Sequence, residues 1–169
     1  TAWVKQTDGS GWNTILSDWY SDGNESIHFA IENSVPKFFI SNDGSTQDYI
    51  SGTALTENEW YFLAVTFDSG ELIFYINGKP VATKTSSITS INNTNQLWTI
   101  GRNNQDLNHS FNGNIDDLAI FNSSLTNINI LHLYQLALLG YRDTDEDEVP
   151  DPKDFFPEDP NLVIDLSKY

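Results

Sequence analysis

The sequence predicts an all-β fold, an antiparallel jelly-roll sandwich with one short C-terminal helix and an acidic tail. Three observations predict it. Short apolar runs recur along the first 121 residues with turn residues between them and no helical period. Trp60–Thr83 reads as strand, loop, strand, two-residue turn, strand, and its Asn77-Gly78 between apolar runs is the strongest short-range hairpin signal. Residues 60–67 are also apolar on both alternating faces, with Trp60, Phe62 and Ala64 on one and Tyr61, Leu63, Val65 and Phe67 on the other. A strand that is apolar on both sides is covered on both sides, which places it inside a layered structure.

The strands are expected at 2–5, 13–19, 26–32, 37–41, 47–50, 60–67, 72–76, 79–85, 97–101 and 114–121. Asp8-Gly9-Ser10-Gly11, Ser21-Asp22-Gly23-Asn24, Asn42-Asp43-Gly44-Ser45 and Asn92-Asn93-Thr94-Asn95 supply turn chemistry between them. Within 26–31, Ile27, Phe29 and Ile31 alternate with Ser26, His28 and Ala30, so one face is dry and the other, with His28, meets solvent. Trp3, Trp60 and Trp98 lie in strands and read as core. Thr126 caps a helix whose apolar stripe is Ile128, Leu131, Tyr134 and Leu138, ended by Gly140 and laid on the sandwich as a lid.

Composition narrows the partners. With 169 residues the chain has room for one sandwich and a short appendage. A net charge of −16 and only eight Lys and Arg exclude a nucleic-acid partner, which needs a basic stripe. No run approaches the ~18 apolar residues of a membrane span. The absence of cysteine excludes disulfides, thiolate zinc sites and thiol catalysis, and leaves the compartment open. Thr1 leads directly into strand-like Ala-Trp-Val, as expected for part of a larger multidomain chain.

Several ordered motifs together are similar to the laminin-G-like, concanavalin A-like superfamily. They are Ala2-Trp3-Val4-Lys5, Trp60 with Ala64-Val65-Thr66-Phe67-Asp68, Tyr75-Ile76-Asn77-Gly78-Lys79, Ile100-Gly101-Arg102, Phe111 to Asp117, and Leu133-Tyr134. The resemblance covers residues 1–139 and implies a mostly non-catalytic sandwich that binds glycans or proteins outside the cell, secreted or at a bacterial cell surface. It also implies a role for Asp116, in the place of an acid that often joins a calcium site. Members carry further strand sequence ahead of Ala-Trp-Val-Lys. Either that strand lies elsewhere in the parent protein or another segment fills its place, and Leu162-Val163-Ile164 within 161–169 offers itself.

The domain boundary is expected after residue 141, followed by an acidic unit over 142–160. Ten of the 24 carboxylates lie between Asp143 and Asp165. The run 143–160 resembles a thrombospondin type 3 repeat, a calcium-binding element of exported proteins. Its spacing supports calcium independently, because the ion wants six to eight oxygens and loop positions 1, 3, 5, 9 and 12 wrap it. Asp143, Asp145, Asp147, Asp151 and Asp154 stand at those positions, with the Val149 carbonyl at the seventh. Glu148 replaces the usual turn glycine, which either strains the loop or adds a ligand. A solvated acidic linker also fits a charge run.

For a ligand, Trp12, Trp19 and Tyr20 lie in or beside loops and offer rings to stack on sugars, although packing accounts for any one of them equally well. Asp22, Asn42, Asp43, Arg102, Asn103 and Asn104 suit polyol recognition, and suit plain turns too. An enzyme is not expected. A sandwich glycanase needs two carboxylates about 5–9.5 Å apart. No acidic triplet of the Glu-x-Asp-x-(x)-Glu kind lies on a strand here, and the adjacent Asp116 and Asp117 point to opposite faces. The leading expectation is a carbohydrate-binding module with a calcium-stabilised repeat. The alternative is a protein-binding or spacer module of a calcium-dependent surface adhesin.

Overall fold

Ten strands, each alternating its side chains between two faces, build two five-stranded antiparallel sheets in the computed structural model, which describes residues 1–20, 23–103 and 109–139. The strands are β1 (Ala2–Gln6), β2 (Trp12–Tyr20), β3 (Asn24–Glu32), β4 (Val35–Ser41) and β5 (Gln47–Ser51). They continue with β6 (Tyr61–Asp68), β7 (Glu71–Ile76), β8 (Lys79–Thr85), β9 (Thr99–Ile100) and β10 (Gly113–Asp116). The first sheet has the order β10-β1-β6-β7-β8 and the second β5-β4-β3-β2-β9. The sheets face each other, and Ala2, Val4, Leu63, Leu72 and Phe74 of the first meet Ile15, Phe29, Ile31, Ile40 and Ile50 of the second. Phe29 sits edge-on to both Phe38 and Phe74, with ring centroids 5.8 and 6.0 Å away. Such T-shaped pairs add to simple burial.

The β6 strand is covered on both faces, as its sequence requires. Leu63 joins the core between the sheets, while Phe62 and Ala64 join a second cluster with Tyr75 and Ile130. The cover on that side is α1 (Asn127–Leu139). Thr126 caps it: its hydroxyl oxygen accepts the Asn129 amide N–H at 3.2 Å, and the Asn129 side chain accepts the Thr126 N–H at 3.2 Å. This is a capping box with asparagine in the position usually held by Glu or Gln.

Several expectations need correction. The helix buries Ile130 and packs Leu133 and Tyr134 on the sheet, while Ile128 and Leu138 are exposed. Apolar residues surround this helix, so two stripes satisfied the helical period and only the sheet chose between them. Of the three tryptophans read as core, Trp3 stacks on Tyr134 at 5.7 Å, but Trp60 and Trp98 are each 44% exposed. Trp60 precedes β6 and Trp98 precedes β9, so neither is held by a ladder. β10 ends early because the chain turns left-handed at Asp117 (φ 46°), while β9 begins only at Thr99 and stops before the left-handed Gly101 (φ 75°).

Asn77 and Gly78, at φ 51° and 75°, form the expected turn between β7 and β8. The Asn77 amide donates to the Phe62 carbonyl at 2.8 Å and its side-chain oxygen accepts the Phe62 N–H at 2.9 Å. A Cβ on Gly78 would lie 3.0–3.1 Å from Tyr134 and Leu131. Gly78→Ala therefore combines left-handed strain with displacement of the helix, and should lower stability by about 2 kcal/mol in urea unfolding.

Candidate functional site

Register brings an unexpected set of side chains together on the outer face of the second sheet. Pairing aligns Ser17, His28, Phe39 and Tyr49 in one row across β2, β3, β4 and β5. The next row is Thr14, Ala30, Lys37 and Ser51, and beyond it Trp12 stands opposite Glu32. On the other side Ser41 pairs with Gln47, and Trp19 pairs with Glu25. Trp12 and Trp19 are seven residues apart, so a regular strand would send them to opposite faces. A register shift between Thr14 and Leu16 reverses the alternation, leaves both Ile15 and Leu16 in the core, and turns both tryptophans outward.

The rings form a continuous set. Trp12 stacks on His28 at 5.5 Å, His28 on Phe39 at 6.0 Å and Phe39 on Tyr49 at 5.0 Å, while Trp19 meets Phe39 edge-on at 6.1 Å. His109, from the segment between β9 and β10, adds a ring tilted against Trp12 with centroids 5.5 Å apart. Together with Glu32, Lys37, Gln47 and Asn103 they line an open groove of about 650 Å³, within the range of ligand sites. Lys37 pairs with Glu32, and its ammonium lies 5.9 Å from the Trp12 ring centre and 5.4 Å from that of Tyr49. Both contacts are in cation–π range.

His28 corrects the expectation of a surface residue, since it is only 5% exposed. Its Nε2 lies 3.0 Å from the Thr14 hydroxyl oxygen. Burial, and secondarily the charge of His109, push the imidazole down from 6.5 to about 4. The groove floor therefore holds a neutral histidine at neutral pH.

Of the residues expected to bind ligand, Trp12, Trp19 and Asn103 line the groove. Asn42, Asp43 and Arg102 do not. Asp43 instead builds its own turn, accepting the Thr46 hydroxyl at 2.7 Å and the Thr46 and Ser45 N–H groups at 2.6 and 2.8 Å. Those bonds, led by the Thr46 hydroxyl, hold its carboxyl down at about 2. The Tyr20 side chain, Asp22, Asn104, the acidic unit with Asp143, Asp145, Asp147, Val149, Asp151 and Asp154, and 161–169 lie outside the described residues. Asp116 ends β10 with its carboxylate accepting the Asp117 N–H at 2.9 Å. Among the described residues no three His, Asp or Glu side chains converge as a metal site, and no helix is long and apolar enough to cross a membrane. Sequence reasoning missed Glu32, Lys37, Phe39, Gln47, Tyr49 and the two histidines as groove residues. The outward alternation of Lys37 and Phe39 on β4 and of Gln47 and Tyr49 on β5 was the available signal.

A smaller cavity of about 300 Å³ lies near one end of the core, bounded by Leu16, Phe29, Phe38, Val65, Phe67 and Leu118, with Trp98, Ile120 and Phe121 around it. Thr1, Thr66, Asn122, Ser123 and Ser124 add polar groups to its mainly apolar lining.

The chain belongs to the concanavalin A-like lectin/glucanases superfamily, whose laminin G family model matches residues 1–130. Its structure is a concanavalin A-like jelly-roll sandwich. The ligand-binding domain of botulinum neurotoxin serotype D, solved with N-acetylneuraminic acid, superposes with a TM-score of 0.62 at 18% identity, covering 79% of this chain and 35% of that one. A heptameric SAP-like pentraxin from Limulus polyphemus gives 0.60 at 17% identity, covering 79% and 67%. A protein from Bacteroides ovatus proposed to bind carbohydrate gives 0.61 at 18%, covering 77% and 38%. At such identities the likeness is one of fold, and the chain spans about a third of the length of the toxin domain. No curated protein matches the chain.

The depressed His28 has a stability consequence. Between about pH 6.5 and 4 the unfolded chain binds this proton and the folded chain does not, so stability falls as pH drops through that window. The loss should approach about 3 kcal/mol by pH 4. Urea unfolding across this range measures it, and His28→Phe should flatten that part of the profile.

Proposed function

We propose that the chain is a non-catalytic carbohydrate-binding module of an exported protein, with the outer-face groove as its binding surface. The observation behind this reading is the gathering of Trp12, Trp19, Phe39 and Tyr49 from three strands into one open groove with Gln47, Asn103, Lys37 and Glu32 among them. The C–H faces of a sugar ring pack on flat aromatic rings, and its hydroxyls need both donors and acceptors at the margin. Rings fixed on strands lose little conformational freedom when a ligand arrives. The fold shared with a toxin domain solved with N-acetylneuraminic acid and with a protein proposed to bind carbohydrate supports the reading.

The absence of catalysis is part of the proposal. Among the described residues lining the groove, Glu32 supplies the one carboxylate, and it is paired with Lys37. Glycoside hydrolysis in its common forms needs two. Trp19→Ala should weaken binding of whichever glycan an array identifies by roughly 2 kcal/mol, about thirtyfold in Kd, without lowering the melting temperature. An array blank for the intact protein, or an unchanged Kd in the variant, contradicts this assignment. Release of new reducing ends from the bound glycan would restore the enzyme reading.

Calcium belongs to the same proposal. The D-x-D-x-D-x-x-x-D-x-x-D spacing from Asp143 to Asp154 offers hard oxygen donors of the kind calcium prefers. Calcium should raise the melting temperature relative to excess chelator, and Asp145→Ala should abolish the shift. The second reading is a protein-binding or spacer module of a surface adhesin. It is favoured by the exposed Trp98, Ile120 and Phe121 around the smaller cavity. A blank array together with an intact calcium response would support it.

A further inference from the structure

Among the described residues lining the groove, one ammonium and one carboxylate stand together and cancel each other. Lys37 and Glu32 form an ion pair with side chains 22% and 26% exposed. The ammonium also lies near the faces of two rings, Trp12 and Tyr49. This is the position a cationic ligand group would seek over an aromatic surface, and the protein's own lysine holds it. Glu32 in turn faces any ligand carboxylate that approaches Lys37, on a chain whose overall charge is −16. A charged sugar must therefore either separate the pair or enter beside a like charge, and both are costly in a half-buried site. A hydroxyl meets neither obstacle, because it can accept from Lys37 and donate to Glu32 in the same geometry. Gln47, an exposed amide able to donate and accept, extends the same neutral recognition along the groove. His28 is hydrogen-bonded to Thr14 and adds no charge at neutral pH.

We infer that this groove selects uncharged sugars, with the Lys37–Glu32 pair as the specificity-determining element that excludes both uronates and amino sugars. This rests on the carbohydrate-binding reading of the same groove and adds the class of sugar to it. Removing one partner should convert the specificity in a direction set by the charge that remains. Glu32→Gln leaves the ammonium without its carboxylate and should admit an acidic sugar. Lys37→Met keeps the aliphatic stem against the rings, removes the charge and should admit a cationic one.

The test is calorimetric titration at neutral pH of the full chain and both variants. The probes are the hexaoses of cellulose, laminarin, mannan and xylan, with hexagalacturonate and an N-trimethyl chitosan oligomer as charged counterparts. The expected result is binding of at least one neutral hexaose with a Kd unchanged between low and high salt, and charged probes at least about tenfold weaker. Glu32→Gln should then strengthen galacturonate binding about tenfold, and Lys37→Met should do the same for the cationic oligomer. Melting curves of both variants, superposable on that of the parent, show that the groove is intact. Charged probes bound by the parent as tightly as the neutral ones, or variants whose preferences do not move, overturn the inference while leaving carbohydrate binding standing. A blank across every probe and the glycan array overturns both.

Discussion

Strand register is the constraint on which the rest of this structure depends. Side chains alternate with a period of two, so a slip of one residue exchanges the faces of a strand. Phe29 is held between Phe38 and Phe74 in the core, and Ile31, Ile40 and Ile50 pack around it. Their burial fixes the pairing of β3, β4 and β5, and that pairing places His28, Phe39 and Tyr49 side by side on the opposite face. The groove is a consequence of the core. A change that loosened Phe29 should disturb a groove whose lining does not include it.

The two sheets show how one architecture divides its faces. The first uses its outer face for stability, because α1 covers Phe62, Ala64 and Tyr75 with Ile130. The second has no such cover over its outer face among the described residues, and it carries aromatic rings there instead. Exposed rings cost solubility and invite association, so rings kept on a rimmed groove point to recognition. The margin is polar, with Gln47 and the Lys37–Glu32 pair, and the rings beneath are carried on paired strands. An apolar platform with polar margins suits a ligand that has a flat hydrocarbon face and many hydroxyls.

The sequence revealed the layered β architecture, the β6–β7–β8 meander and the capping Thr126, because each depends on local chemistry. Asn77-Gly78 turns wherever it lies between apolar strands, and Thr126 caps because its hydroxyl reaches an amide three residues on. What depends on tertiary contact was hidden. The stripe of α1 that is buried was decided by the sheet it meets, since Ile128 and Ile130 are equally apolar. Trp12 and Trp19 were visible as candidates, but their common face depends on the bulge at Thr14–Leu16, which no two-residue period can show. Phe38 and Phe39 are adjacent and chemically identical; one is core and the other groove because of register alone. Asp43 had the right chemistry for a ligand site and uses it locally, in bonds to Thr46 and Ser45.

Ligand should meet the outer face of the second sheet. This is tested most directly by following the five tryptophan indole N–H signals in a ¹⁵N-correlated NMR spectrum while a glycan identified on an array is titrated in. Trp12 and Trp19 should shift together in a saturable way while Trp3, Trp60 and Trp98 stay in place. Movement of Trp60 or Trp98 alone, with Trp12 and Trp19 unmoved, would contradict it.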